Sequence, residues 1–149
     1  MLRLGRDHES ISVVDDQHGA PTPAAVVADA TLRVLARAVD RAAEQFGKYG
    51  GLVHLACRGE TTWYGFAEAI FAEARRMGLP MAVRQLRPTT TAAFPRPARR
   101  PMNSRLDLGR LAAKFEIETP NWRDALHEQM ALLRPSLDGI EWPDYSPAQ

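Results

Sequence analysis

Three guanidinium groups, Arg96, Arg99 and Arg100, fall within five residues of the stretch Pro95-Arg96-Pro97-Ala98-Arg99-Arg100-Pro101-Met102-Asn103-Ser104. Arginine presents a planar fork of donors that can hold two phosphate oxygens at once, and a proline-stiffened loop loses less entropy when a ligand orders it. A diphosphate fits this chemistry; the plainer alternative is a solvated basic loop, the ordinary state of arginine. The second segment able to do chemistry is Asp15-Asp16-Gln17-His18-Gly19-Ala20-Pro21-Thr22. It reads as a strand-end turn running into a helix N-terminus, where backbone N–H groups and the helix dipole favour an anion. The alternative is local: Asp16 and Gln17 satisfy the turn and Thr22 caps the helix. His18 beside Asp15 and Asp16 suggests a metal by residue type, but adjacent polar residues in one turn seldom converge on an ion, so no metal is expected.

Other familiar catalytic arrangements are missing from the sequence. Gly47, Gly50 and Gly51 lack the spacing and context of a dinucleotide-binding turn, so no cofactor is expected to bind this chain by itself. A Tyr-x-x-x-Lys pair would lower a tyrosine pKa for proton donation, but Val53, Glu68 and Gln149 stand four residues after Tyr49, Tyr64 and Tyr145. No catalytic residue is assigned. His8, His54 and His127 read as structural, and Trp63 as a core residue rather than a ring stacked on a ligand.

The elements that must position these residues follow from the hydrophobic pattern. Met1 to Gly5 reads as the last turn of a helix stopped by glycine, and Ile11 to Asp15 as a β-branched strand. Thr22-Pro23 starts a helix with Thr22 as cap and Val27, Ala30, Val34 and Ala38 on one face. Gly47 to Gly51 is a turn, and Leu52 to Cys57 is apolar enough to be a buried strand. Thr61 or Thr62 caps the next helix, whose face of Trp63, Phe66, Ala67, Ile70 and Ala74 runs to Gly78. Met81 to Leu86 reads as a strand, and Pro88 to Pro101, with four prolines, as irregular. Asp107 is expected to cap a short helix with Leu108, Leu111, Ala112 and Phe115 inward. Asn121 caps a last helix through Trp122, Leu126, Met130 and Leu133, ended by Pro135. Residues 1–134 then form one α/β unit and 135–149 an irregular tail.

The bulk numbers set limits on function. A chain of 149 residues, 45% apolar, buries one core. Its formal net charge of +1 provides no global field for nucleic acid or an anionic membrane, so neither is an expected partner. The single Cys57 excludes an internal disulfide and fits a reducing, cytoplasmic setting. No stretch approaches the roughly 20 apolar residues of a membrane span, and no secretory leader is recognisable.

Taken together, Ser12 to Thr22, Gly51 to Ala56, Thr61-Thr62-Trp63, Pro97 to Leu106 and Asn121-Trp122 resemble, in order and interval, the C-terminal half of dTDP-4-dehydrorhamnose reductases. These belong to the extended short-chain dehydrogenase/reductase group, and the likeness covers roughly Met1 to Leu133. It implies partial Rossmann-like sheet strands plus the small C-terminal substrate-binding α/β subdomain of an extended short-chain reductase. It also implies a part in the NADPH-dependent reduction of dTDP-6-deoxy-L-lyxo-4-hexulose to dTDP-L-rhamnose. By position, Gln17 and Thr22 are similar to substrate-side residues of the first motif, and Arg99, Arg100, Asn103 and Ser104 to those of the second. The family's cofactor-binding N-terminal half has no counterpart here, so the expectation is a shortened product or a chain completed by a separate N-terminal Rossmann half. A non-catalytic partner-binding module on the same fold is the competing expectation.

Overall fold

The computed structural model describes residues 1–39, 51–94, 98 and 100–137. Its elements are α1 (Leu2–Asp7), β1 (Ser10–Val14), β2 (His18–Gly19), α2 (Ala24–Val39), β3 (Thr61–Thr62), α3 (Trp63–Arg76), β4 (Gln85–Thr89), a 3₁₀ turn (Thr91–Ala93), α4 (Gly109–Phe115) and α5 (Trp122–Leu137). β1 and β4 run parallel, Ser10 opposite Gln85 and Val14 opposite Thr89. β2 and β3 are antiparallel, His18 opposite Thr62. The mixture of parallel strands and covering helices is the α/β class expected from the sequence.

α3 is the element around which the fold closes. Thr62 Oγ1 accepts the Gly65 N–H at 3.0 Å and so caps its start. At its end Gly78 takes φ +75°, its N–H donating to the Arg75 carbonyl and the Leu79 N–H to the Ala74 carbonyl, which satisfies the last carbonyls as only a left-handed residue allows. Ala67, Ile70 and Phe71 pack under Ile11 and Val13 of β1 and against Val83. One turn on, Ala74 and Met77 meet Met130 of α5. A separate cluster joins Ala30 of α2 to Leu111, Phe115 and Ile117.

Several expectations are corrected. Gly5 does not stop the first helix; it lies inside α1 and is buried, because the helix must approach Phe71 there. A β-carbon on Gly5 would sit 2.5 Å from Phe71 Cε1 and 3.2 Å from Met81 Sδ. Alanine normally favours a helix by about 1 kcal/mol over glycine. At this position, overpacking against a fully buried ring outweighs that gain. Gly5→Ala is therefore expected to lower stability by about 1–3 kcal/mol in urea unfolding, and a stabilised variant would contradict the packing.

Thr22 does not cap α2. Its hydroxyl donates to the Ala20 carbonyl at 3.0 Å and accepts the Cys57 N–H at 2.9 Å, while the Pro23 carbonyl accepts the first helical N–H groups from Val26 and Val27. Residues 52–57 pair with no strand among the described residues, although Ala56 and Cys57 are buried. On α2, Val27 is exposed where it was expected inward, and Leu32 and Leu35 are 66% and 53% exposed. The side chain of Ala38 and the turn from Gly47 to Gly50 lie outside the described residues.

The predicted strand from Met81 to Leu86 begins instead at Gln85 and runs through Pro88 to Thr89, so the irregular stretch starts later. Pro88 is tolerated because β4 borders only β1 among the described residues, leaving the missing donor without a required partner. α4 has no side-chain cap at Leu108, though Asp107 Oδ1 accepts the Gly109 N–H at 2.8 Å, and Ala112 faces out while Leu111 and Phe115 are buried. Asn121 Oδ1 accepts the Arg123 N–H at 3.0 Å, as its capping role requires. Pro135 does not end α5, which continues to Leu137.

Candidate functional site

β2 brings the two sequence motifs together. On one side His18 pairs with Thr62; on the other its N–H donates to the Met102 carbonyl and its carbonyl accepts the Ser104 N–H, both at 2.8 Å. The turn after β1 and the end of the arginine loop are thus held side by side through a single parallel bridge, His18 opposite Asn103. Above them opens a cavity of about 780 Å³, within the range of sites for nucleotide-sized molecules. Gln17, Thr22, Arg100 and Ser104 line it. Asn103 does not; its side-chain oxygen accepts from the Arg105 backbone N–H at 3.1 Å and from Arg105 Nε at 2.9 Å. Arg99 and Arg96 lie outside the described residues.

Two acidic side chains prove to be tethers, Asp15, read from the sequence as the end of the strand, and Asp16, read as a local turn-former. Asp15 Oδ1 accepts from Thr62 Oγ1 at 2.5 Å, tying the turn to the start of α3. Asp16 accepts the Thr91 hydroxyl at 2.6 Å and the Thr91 N–H at 2.8 Å, tying it to the 3₁₀ turn after β4. Those two bonds, the hydroxyl first, hold the Asp16 carboxyl below its ordinary pKa. Across the site Glu60 pairs with Arg105, whose hydrogen bond lowers the Glu60 pKa as well.

The opposite wall is aromatic and aliphatic. Trp63, expected in the core, is 46% exposed and lines the cavity, edge-on to Phe66 with ring centres 6.5 Å apart. Phe66 in turn meets Trp122 at 6.1 Å. α5 contributes Trp122, Leu126, Gln129 and Leu133, one face at helical spacing. Sequence reasoning placed Trp122, Leu126 and Leu133 in the core and overlooked Gln129; a lone amide beside an apolar stripe was the available signal. His18 lines the cavity, and among the described residues no cluster of His, Cys, Asp and Glu could hold a metal ion. His54 is half-buried, and His127 Nδ1 donates to the Glu73 carboxylate at 2.8 Å, bridging α5 to α3. Cys57 is buried, and burial raises its thiol pKa, which leaves it a packing residue.

Glu73 and Asp16 together predict an acid response. Arg76 first, then His127, hold the Glu73 carboxyl below its ordinary pKa. Both carboxyls therefore bind protons less readily folded than unfolded. Their contribution is complete above the unfolded carboxylate range, about pH 4, and is lost as pH falls through the lower folded values. Urea midpoints are expected to fall below about pH 4, and to fall less steeply in an Asp16→Asn, Glu73→Gln double variant. A slope unchanged in that variant would remove both groups from the account.

A dinucleotide cofactor does not fit the residues present at the α2 N-terminus. Pro21 and Pro23 remove two backbone donors there, and Gly19 is the turn's single glycine. Among the described residues no helix is long and apolar enough to cross a membrane.

A small α/β unit with a nucleotide-sized cleft between a basic loop and an aromatic wall defines a class, and comparison with known proteins specifies it. The sequence matches the RmlD substrate binding domain family over residues 1–134. It is 41% identical over 123 residues to the dTDP-4-dehydrorhamnose reductase of Escherichia coli K12, covering 83% of this chain and 40% of that protein. With the reductase of Burkholderia thailandensis it shares 45% over 129 residues, covering 85% and 43%. The fold is similar to the crystal structure of the Clostridium acetobutylicum reductase, at TM-score 0.70 and 34% identity, covering 89% of this chain and 41% of that one. It is also similar to the Bacillus anthracis reductase solved in complex with NADP, at TM-score 0.69 and 28% identity, covering 87% and 41%. The chain belongs to the RmlD substrate binding domain family. It spans about 40% of the length of the curated relatives it matches.

Proposed function

We propose that this chain is the sugar-nucleotide-gripping portion of a dTDP-4-dehydrorhamnose reductase, acting in the NADPH-dependent reduction of dTDP-6-deoxy-L-lyxo-4-hexulose to dTDP-L-rhamnose. The observation that carries the reading is the backbone pairing of His18 with the Met102–Ser104 segment, which sets Gln17 and Thr22 beside Arg100 and Ser104 on one cleft. Arg100 would clamp the diphosphate and Ser104 donate to it. Arg99 stands next to Arg100 in sequence and is proposed for the same anion, while Asn103 fixes the loop through Arg105. Thr22 would act on the substrate indirectly, by holding the turn to Cys57.

Hydride delivery and proton donation belong to a Rossmann half. Support for its docking comes from residues 52–57, which pair with no strand among the described residues, and from the exposed Leu32, Leu35, Val39 and Leu52. Such a half, whether joined or separate, would add its sheet alongside residues 52–57, and a cytoplasmic location suits the reaction. Calorimetric titration of the chain with dTDP-L-rhamnose, dTDP and NADPH tests the reading. Binding of the two dTDP ligands without NADPH is expected; a folded chain silent to both dTDP ligands would overturn the autonomous grip and favour the partner-binding module.

A further inference from the structure

Thr91 Oγ1 stands at the centre of a hydrogen-bond chain whose polarity can be worked out. A hydroxyl has one proton and two lone pairs. Asp16 is held ionised by its two bonds from Thr91 and can only accept, so the Thr91 proton goes to Asp16 Oδ1 at 2.6 Å. The remaining contact, Gln17 to Thr91 Oγ1 at 2.9 Å, then requires a donor, and that donor is Gln17 Nε2. The Thr91 N–H also donates to Asp16 Oδ2 at 2.8 Å, so the carboxylate cannot swing away and release the hydroxyl. An amide whose nitrogen is committed in this way has its orientation fixed, whatever ambiguity a free glutamine carries.

Gln17 also lines the cavity. We infer that Asp16 and Thr91 are positioning residues that turn the Gln17 amide so that its oxygen serves the ligand as an acceptor, selecting a neutral hydroxyl of the hexose over an anionic group. This rests on the sugar-nucleotide reading of the cleft. A carbonyl oxygen with a carboxylate behind it repels phosphate oxygens, which places the diphosphate on the Arg100 and Ser104 side and the hydroxyl-bearing ring at Gln17. Gln17 thereby leaves the anion-binding set and becomes a reader of sugar hydroxyls.

The experiment compares dTDP-L-rhamnose with dTDP by calorimetry in the wild-type chain, Thr91→Val, Thr91→Ser, Gln17→Ala and the Thr91→Val, Gln17→Ala double variant. Valine keeps the threonine shape and removes the hydroxyl. Thr91→Val is expected to weaken dTDP-L-rhamnose about fivefold to tenfold, the scale of one hydrogen bond, with dTDP unchanged, and Thr91→Ser to restore it. In the Gln17→Ala background the valine substitution is expected to add nothing, because the two residues act as a unit. An equal loss for both ligands, no loss for either, or a full valine effect without Gln17 would overturn the inference and leave the grip itself standing. Wild-type silence to both ligands would overturn the underlying reading and the inference with it.

Discussion

Trp122→Ala is expected to cost about 3–5 kcal/mol, the scale for deleting a buried indole, and so to remove a large part of a small domain's stability. Trp122 is 3% exposed and sits where three elements meet: Cys57 of the 52–57 segment, Phe66 of α3, and Ala125 with Leu126 of its own helix. Its Nε1–H donates to the Glu60 carbonyl at 3.2 Å, and the Arg123 guanidinium carbon lies 4.6 Å from its ring centre. Alanine would leave a cavity behind the cleft and an unpaired carbonyl beside it. Phenylalanine would keep much of the packing but lose the donor and part of the ring volume. Chemical unfolding followed in both variants checks this; a loss under about 1 kcal/mol for alanine would show that α5 does not anchor the site.

The second large effect concerns binding. Arg100→Ala is expected to weaken dTDP about tenfold to a hundredfold, the range for a charge-assisted hydrogen bond, without lowering the unfolding midpoint, since Arg100 is exposed. Arg100→Lys should recover part of the loss, because an ammonium restores charge but not the planar fork. Raising salt should narrow the gap between wild type and alanine. Unchanged dTDP affinity in Arg100→Ala would return the arginine loop to the solvated surface that its residue type alone suggests.

How far the sequence disclosed this arrangement depended on whether the deciding interaction was local. Thr62, Gly78 and Asn121 were legible because a cap is settled within a few residues. The motif pair was legible through resemblance, and the structure supplies its physical basis in the His18 bonds to Met102 and Ser104. Gly5 misled because its reason is Phe71, far along the chain and invisible to a local reading. Thr22 misled in the same way, its hydroxyl committed to Cys57 instead of to α2.

Residues 52–57 have strand composition, but a strand needs a neighbour, and none pairs with them among the described residues. Trp63 and Leu133 were assigned to the core because large apolar side chains usually go there, whereas a cleft with an apolar wall exposes a few of them. The tethering roles of Asp15 and Asp16 could not be read either, since their partners Thr62 and Thr91 come together only in the fold.

The central claim is that the turn after β1 and the end of the arginine loop form one ligand site. Amide chemical-shift mapping of the folded chain during titration with dTDP-L-rhamnose tests it most directly. The account predicts saturable shifts at Gln17, His18 and Gly19 together with Arg100 and Ser104, all with one dissociation constant. Shifts confined to the arginine loop, or two sets that saturate at different concentrations, would contradict it.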